Sequence, residues 1–178
     1  MAKSSDSDSE KQEEVRRMRR FVNEYNDHIA ATLRPAVHLI EFAEKQFPKE
    51  RSSRIGDDML RAAVVFLHAT LEDFLRYIGC ADPMAAHRDK RTFGNTDRIS
   101  KVLKRAGIPI ADVEKFYPSL EKLMVRRHQI VHKGDLKQPL KREGERDPEP
   151  IDLSQVKEWQ DTVLNFVSTV AASKMDKA

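Results

Sequence analysis

The residues best suited to chemistry on a phosphate are an arginine and a histidine five positions apart, Arg127 and His132, in the run MVRRHQIVHK. A guanidinium keeps its charge and offers a planar fork of donors, whereas an imidazole changes charge near neutral pH and so can take or give a proton. Taking 100° per residue from Leu120, the side chains of Leu123, Met124, Ile130 and Val131 fall in one apolar arc, and Arg127 falls inside it at about 340°. A guanidinium there is expensive to bury without a partner. Arg126 falls at about 240°, with Lys122, Gln129 and Lys133 on the wet face, so its replacement is expected to leave any activity nearly intact. Met124, His128 and His132 run along one edge of the stripe, which places two imidazoles beside the arginine.

Plainer roles compete for the same residues. Arg127 can be the buried partner of a carboxylate such as Glu72, and His132 can cap the last helical turn, where a cation suits the dipole. His128 and His132, one turn apart, share a helix face as metal ligands do. Gln129 follows His128, however, so the glutamate general base of the zinc-protease pattern is missing, and no third ligand is evident. Neither a metal nor any other cofactor is expected. His68 and Glu72 flank the apolar stripe of an earlier helix and can reach the same pocket. The chain has no Gly-rich phosphate loop, nucleophile elbow or cysteine–histidine pairing.

The elements that must position these groups are helical. With 178 residues, 39% hydrophobic and 34% charged, the chain is long and apolar enough for one domain with a real core. Residues 1–14 carry two lysines against five acids and no apolar periodicity, and are expected to be a disordered acidic tail. A single domain is expected over 15–174. Its first helix starts at Val15, with Pro35 expected to kink or split it, and ends near Phe47. A central helix spans Ile55 to Ile78 on a stripe of Leu60, Val64, Leu67, Leu71, Phe74, Leu75 and Ile78, with Ala62, Val65, Phe66 and Ala69 extending apolar character around it. A short helix follows over Thr96–Ala106, closed by Gly107. The next stretch begins near Ala111, restarts at Pro118 and carries the Arg–His run to Lys133. Residues 134–150 are polar and proline-bearing and are expected to form a mobile loop. The last helix carries Val156, Trp159, Val163, Phe166, Val167 and Val170. The pattern is that of an all-α, up-and-down bundle of about five helices.

Charge and cysteine usage narrow the partners. The net charge of +3 and pI near 9.0 permit nucleic acid without requiring it. Residues 87–105 carry seven Lys or Arg against two Asp, and Arg88, Lys90, Arg91, Arg98 and Lys101 are the candidates for a phosphate-tracking patch, with a solvated helix face as the plainer alternative. One cysteine, Cys80, no leader-like N-terminus and no apolar run longer than Ala62–Leu67 lead to a cytoplasmic protein without a membrane span.

Arg127, polar His128 and then His132 resemble the motif of HEPN-domain ribonucleases: Arg, a polar residue, and His after four to six positions. The order of parts is similar too, with the motif on a late helix, a loop, and the amphipathic helix IDLSQVKEWQDTVLNFV, and AVVFLHATLEDFLRYIG resembles the second helix of that family. The resemblance spans roughly residues 20 to 172. It implies a homodimer whose two copies of Arg127 and His132 line one cleft, with Glu72 orienting the arginine and His128 in support. It also implies metal-independent RNA cleavage by the ribose 2′-hydroxyl, leaving a 2′,3′-cyclic phosphate. Toxin–antitoxin systems and antiphage defence are the settings of such domains, with an antitoxin or regulatory protein as a partner. The alternative is a non-catalytic helical module that binds RNA, a nucleotide or a protein.

Overall fold

Ile29, Leu33, Ala36, Ile40 and Ala43 repeat at helical spacing and are all buried, which defines helix α1 over 27–46. The computed structural model describes residues 27–47, 54–79, 93–133 and 149–175. The expected acidic tail, the helix start at Val15, the basic residues Arg88, Lys90 and Arg91, and the expected loop apart from Glu149 and Pro150 lie outside the described residues.

Helix α1 continues through Pro35, where a kink or split was expected, so the helix is not split there. Proline removes one backbone donor, and the carbonyl that loses its partner belongs to Ala31. Pro35 and Ala31 both stand on the exposed face, where water can satisfy that carbonyl.

Helix α2, Arg54–Gly79, buries every residue of its expected stripe and lies antiparallel to α1. Thr70 Oγ1 donates to the Thr32 carbonyl at 3.1 Å, and His28 Nε2 pairs with the Asp73 carboxylate. At the other end of the pair the helices close on Gly56, where a Cβ would stand 3.1 Å from the Phe47 side chain.

Helix α3, Thr96–Arg105, is capped by Asn95, whose Oδ1 accepts from the Arg98 N–H at 3.0 Å. Gly107 ends it at φ +75°, the left-handed stop that glycine makes without strain. Two 3₁₀ turns, Ile110–Asp112 and Glu114–Phe116, lead into α4, Tyr117–Lys133, with Pro118 in its first turn. Helix α5, Leu153–Met175, starts after Asp152, whose carboxylate takes the Ser154 N–H at 2.9 Å.

Helix α4 runs antiparallel to α5, with Ser119 and Thr162 sharing a hydrogen bond at 3.0 Å and Arg126 reaching the Pro150 carbonyl. Helix α2 is central and packs against α3, α4 and α5 as well as α1. Phe74 and Phe116 both meet Phe166 edge to face, with ring centres 6.0 and 6.2 Å apart. The result is an all-α, up-and-down bundle of five helices among the described residues, with no strand there. No helix among them is long and apolar enough to cross a membrane. The apolar coat expected around α2 is incomplete: Phe66 is 41% exposed and Ala69 faces solvent, because the neighbouring helices leave that side open.

Candidate active site

Helix α4 is anchored by Leu120, Leu123 and Met124, all buried against the core. Its later turns lose that cover. Val125 and Val131 are 55% and 45% exposed, His128 and His132 are exposed, and Arg127 and Ile130 are half-buried. Val131, expected on the core stripe, therefore lies at the surface.

At this end the two residues singled out by spacing come together. Arg127 Nη1 lies 3.4 Å from His132 Nε2. A guanidinium can only donate, so a hydrogen bond here requires Nε2 as the acceptor, which is the ring's form with its proton on Nδ1. The His128 and His132 rings stand 4.8 Å apart, tilted by 43°. The Arg127 Nε is buried and has no hydrogen-bond partner among the described residues. The arrangement offers a fixed positive charge beside an imidazole lone pair, both within reach of solvent.

Arg126 departs furthest from expectation. It is buried, only 6% exposed, rather than on a wet face. Its Nη1 donates to the Glu149 carboxylate at 2.9 Å, and its Nη2 to the Glu149 carbonyl at 2.8 Å and the Pro150 carbonyl at 3.4 Å. Arg61 of α2 donates to the same Glu149 carbonyl at 3.0 Å and to Asp58. Two buried guanidiniums thus grip one peptide group where the chain returns to α5. Beside Arg126 lies a cavity of about 810 Å³ whose walls include Pro118, Val125, Gln129, Ile151 and Trp159, apart from the Arg127–His132 contact. Replacing Arg126 with alanine is expected to lower stability by about 1.5–3 kcal/mol, the usual loss for hydrogen bonds to a charged group. Urea unfolding followed by circular dichroism measures it, and an unchanged midpoint would remove the clamp from the account.

His68 and Glu72 form a second buried polar cluster on α2. Glu72 Oε1 accepts from the Phe93 N–H at 3.1 Å and its Oε2 from Arg76 at 3.2 Å, with His68 Nδ1 4.0 Å away. Among the described residues no hydrogen bond joins Glu72 to Arg127. Both act on the charge of His68, whose pKa is lowered chiefly by burial, with Glu72 pulling it up and Arg127 pushing it further down. A ring held neutral in the folded state adds stability above the unfolded value of about 6.5, and that stability is lost as pH falls from there toward the lowered folded value. Stability is therefore expected to fall between pH 7 and 5, with a shallower fall in His68→Gln. Equal slopes would place the acid sensitivity elsewhere.

Of the basic candidates, Arg98 and Lys101 are exposed on α3. Among the described residues no group of three His, Cys, Asp or Glu is placed to hold a metal ion. Arg61 and Phe93 escaped the sequence reading, and Arg126 was placed on the wrong face. A usable signal existed for Arg61, which lies two turns before His68 on the same edge of α2 and so continues its buried polar line. The chain matches no protein-family model, no curated protein and no solved structure.

Proposed function

We propose that the chain is a metal-independent endoribonuclease of the HEPN type, acting through Arg127 and His132. The observation that carries this reading is the contact between Arg127 Nη1 and His132 Nε2 at the exposed end of α4. A neutral His132 takes the proton of a ribose 2′-hydroxyl. The O2′–P bond forms, the P–O5′ bond breaks, and a 2′,3′-cyclic phosphate and a 5′-hydroxyl remain. Arg127 holds the charge that develops on the phosphorane oxygens. His128 and Glu72 support the pair, the latter through His68, while Arg98 and Lys101, with Arg88, Lys90 and Arg91, track the RNA backbone.

The leaving oxygen needs a proton as well, and one chain supplies one Arg–His pair. A second copy supplies the other. Val125 and Val131, exposed beside the imidazoles, give the face an apolar rim suited to a homodimer. Such a nuclease requires restraint in the cell that makes it, so an antitoxin or regulatory protein completes the proposal, in toxin–antitoxin or antiphage defence. The test is incubation with a labelled RNA in EDTA, with end analysis of the products and light scattering of the protein. Cyclic-phosphate ends and a dimer mass are expected. RNA binding without cleavage would favour the non-catalytic module, and a monomer at micromolar concentration would remove the paired cleft.

A further inference from the structure

We infer that His128 and His132 form a chelating site for a divalent transition ion, zinc, nickel or copper, and that its occupancy switches the proposed nuclease off. The first half stands on geometry and the second rests on the reading of Arg127 and His132 given above.

The six histidines of the chain include only one pair at positions i and i+4, the spacing that puts two imidazoles on one helix face. With zinc–nitrogen bonds of about 2.0–2.1 Å and each nitrogen about 1.1 Å from its ring centre, two imidazoles on one ion at roughly 90–110° have centres about 4.5–5.2 Å apart. The His128 and His132 centres are 4.8 Å apart. Two imidazoles of one helix therefore already stand at chelating separation. Both side chains are exposed, which leaves the remaining coordination positions open to water, an anion or donors of a second copy. Neither ring pairs with a carboxylate among the described residues, in contrast to His28 with Asp73 and His68 with Glu72. An all-imidazole donor set suits zinc, nickel and copper, whereas magnesium and calcium demand oxygen ligands.

The same lone pair cannot serve two purposes. His132 Nε2 accepts from Arg127 in the free protein, and an ion bound at that nitrogen takes the electron pair and repels the guanidinium. With the ion in place His132 has no site for the 2′-hydroxyl proton, and Arg127 is moved from the phosphate it would stabilise.

The test is calorimetric titration of the full chain with zinc, nickel and magnesium chlorides, repeated on His128→Ala, His132→Ala and His38→Ala. Zinc and nickel are expected to bind the parent and His38→Ala chains saturably. Each of the first two variants should bind about tenfold more weakly or worse, because a chelate loses one of its linked donors. Magnesium is expected to give no saturable heat. Binding unchanged in either variant, or no saturable binding at all, overturns the site. For the switch, cleavage should stop over the zinc range that fills the site and return with EDTA. Zinc that binds while cleavage continues overturns the switch alone. A chain that binds zinc yet cleaves no RNA under any condition counts against the nuclease reading and leaves the chelate standing.

Discussion

Arg127→Ala is expected to slow RNA cleavage about 10²–10³-fold, the usual loss when a donor to a developing oxyanion is removed. The unfolding midpoint should hardly move, because the side chain's sole hydrogen bond among the described residues goes to His132 and its buried Nε has no partner. Arg126→Ala should do the reverse: the protein loses stability through the Glu149 clamp while the folded fraction cleaves at close to the parental rate. His132→Ala should cost about 10²–10⁴-fold in rate as a general acid–base group. Single-turnover cleavage at saturating enzyme, read beside urea unfolding of the same preparations, separates the two effects. Equal rate losses for the two adjacent arginines would mean that the register of α4 does not select one of them for chemistry.

A single 2′-deoxy substitution at the cleaved nucleotide should block cutting there while neighbouring sites are still cut. The expected loss exceeds that of any side-chain replacement, because the nucleophile itself is gone. A matched DNA strand should bind through phosphate contacts, weaken with salt, and stay whole. EDTA should not slow the reaction on RNA, since a proton acceptor rather than a bound ion activates the 2′-hydroxyl. Cutting of DNA at a rate like that of RNA, or loss of RNA cleavage in EDTA, would sink this mechanism and leave the bundle untouched.

The helices were readable because each buries a stripe repeating at helical spacing: the seven positions named for α2 are all in the core, and Gly107 ends α3 where its left-handed conformation allows. Arg127 and His132 were readable by residue type and by the arginine's place inside the apolar arc, but not their contact, since five positions turn a helix through about 140° and only the reach of the arginine closes that gap. Arg126 was not readable. An angular reading of α4 assumes that one face meets the core and the other meets water, yet residues 149–150 lie across its flank and Arg61 reaches them from α2. Contacts between residues 23 and 88 positions apart leave no trace in local periodicity. The same limit explains Val131, which is apolar by angle yet 45% exposed, because periodicity does not show where the cover of other elements stops. That Pro35 does not split α1 has a different reason, because a missing backbone donor matters little where the orphaned carbonyl faces water.

Trp159 is the only tryptophan in the chain, and it is 5% exposed, with an indole N–H that has no partner among the described residues. It shares a cavity wall with Arg126, at the joint that the two arginines hold. The protein consequently carries its own optical probe at a single defined place. Excited at the red edge of its absorption, the chain should emit as a dry indole, and the emission should move to longer wavelength when the joint opens, before or with global unfolding. Ligands that enter the groove and ligands that sit on the histidine end of α4 are thereby distinguishable by fluorescence without any label, since only the first touch the indole's surroundings.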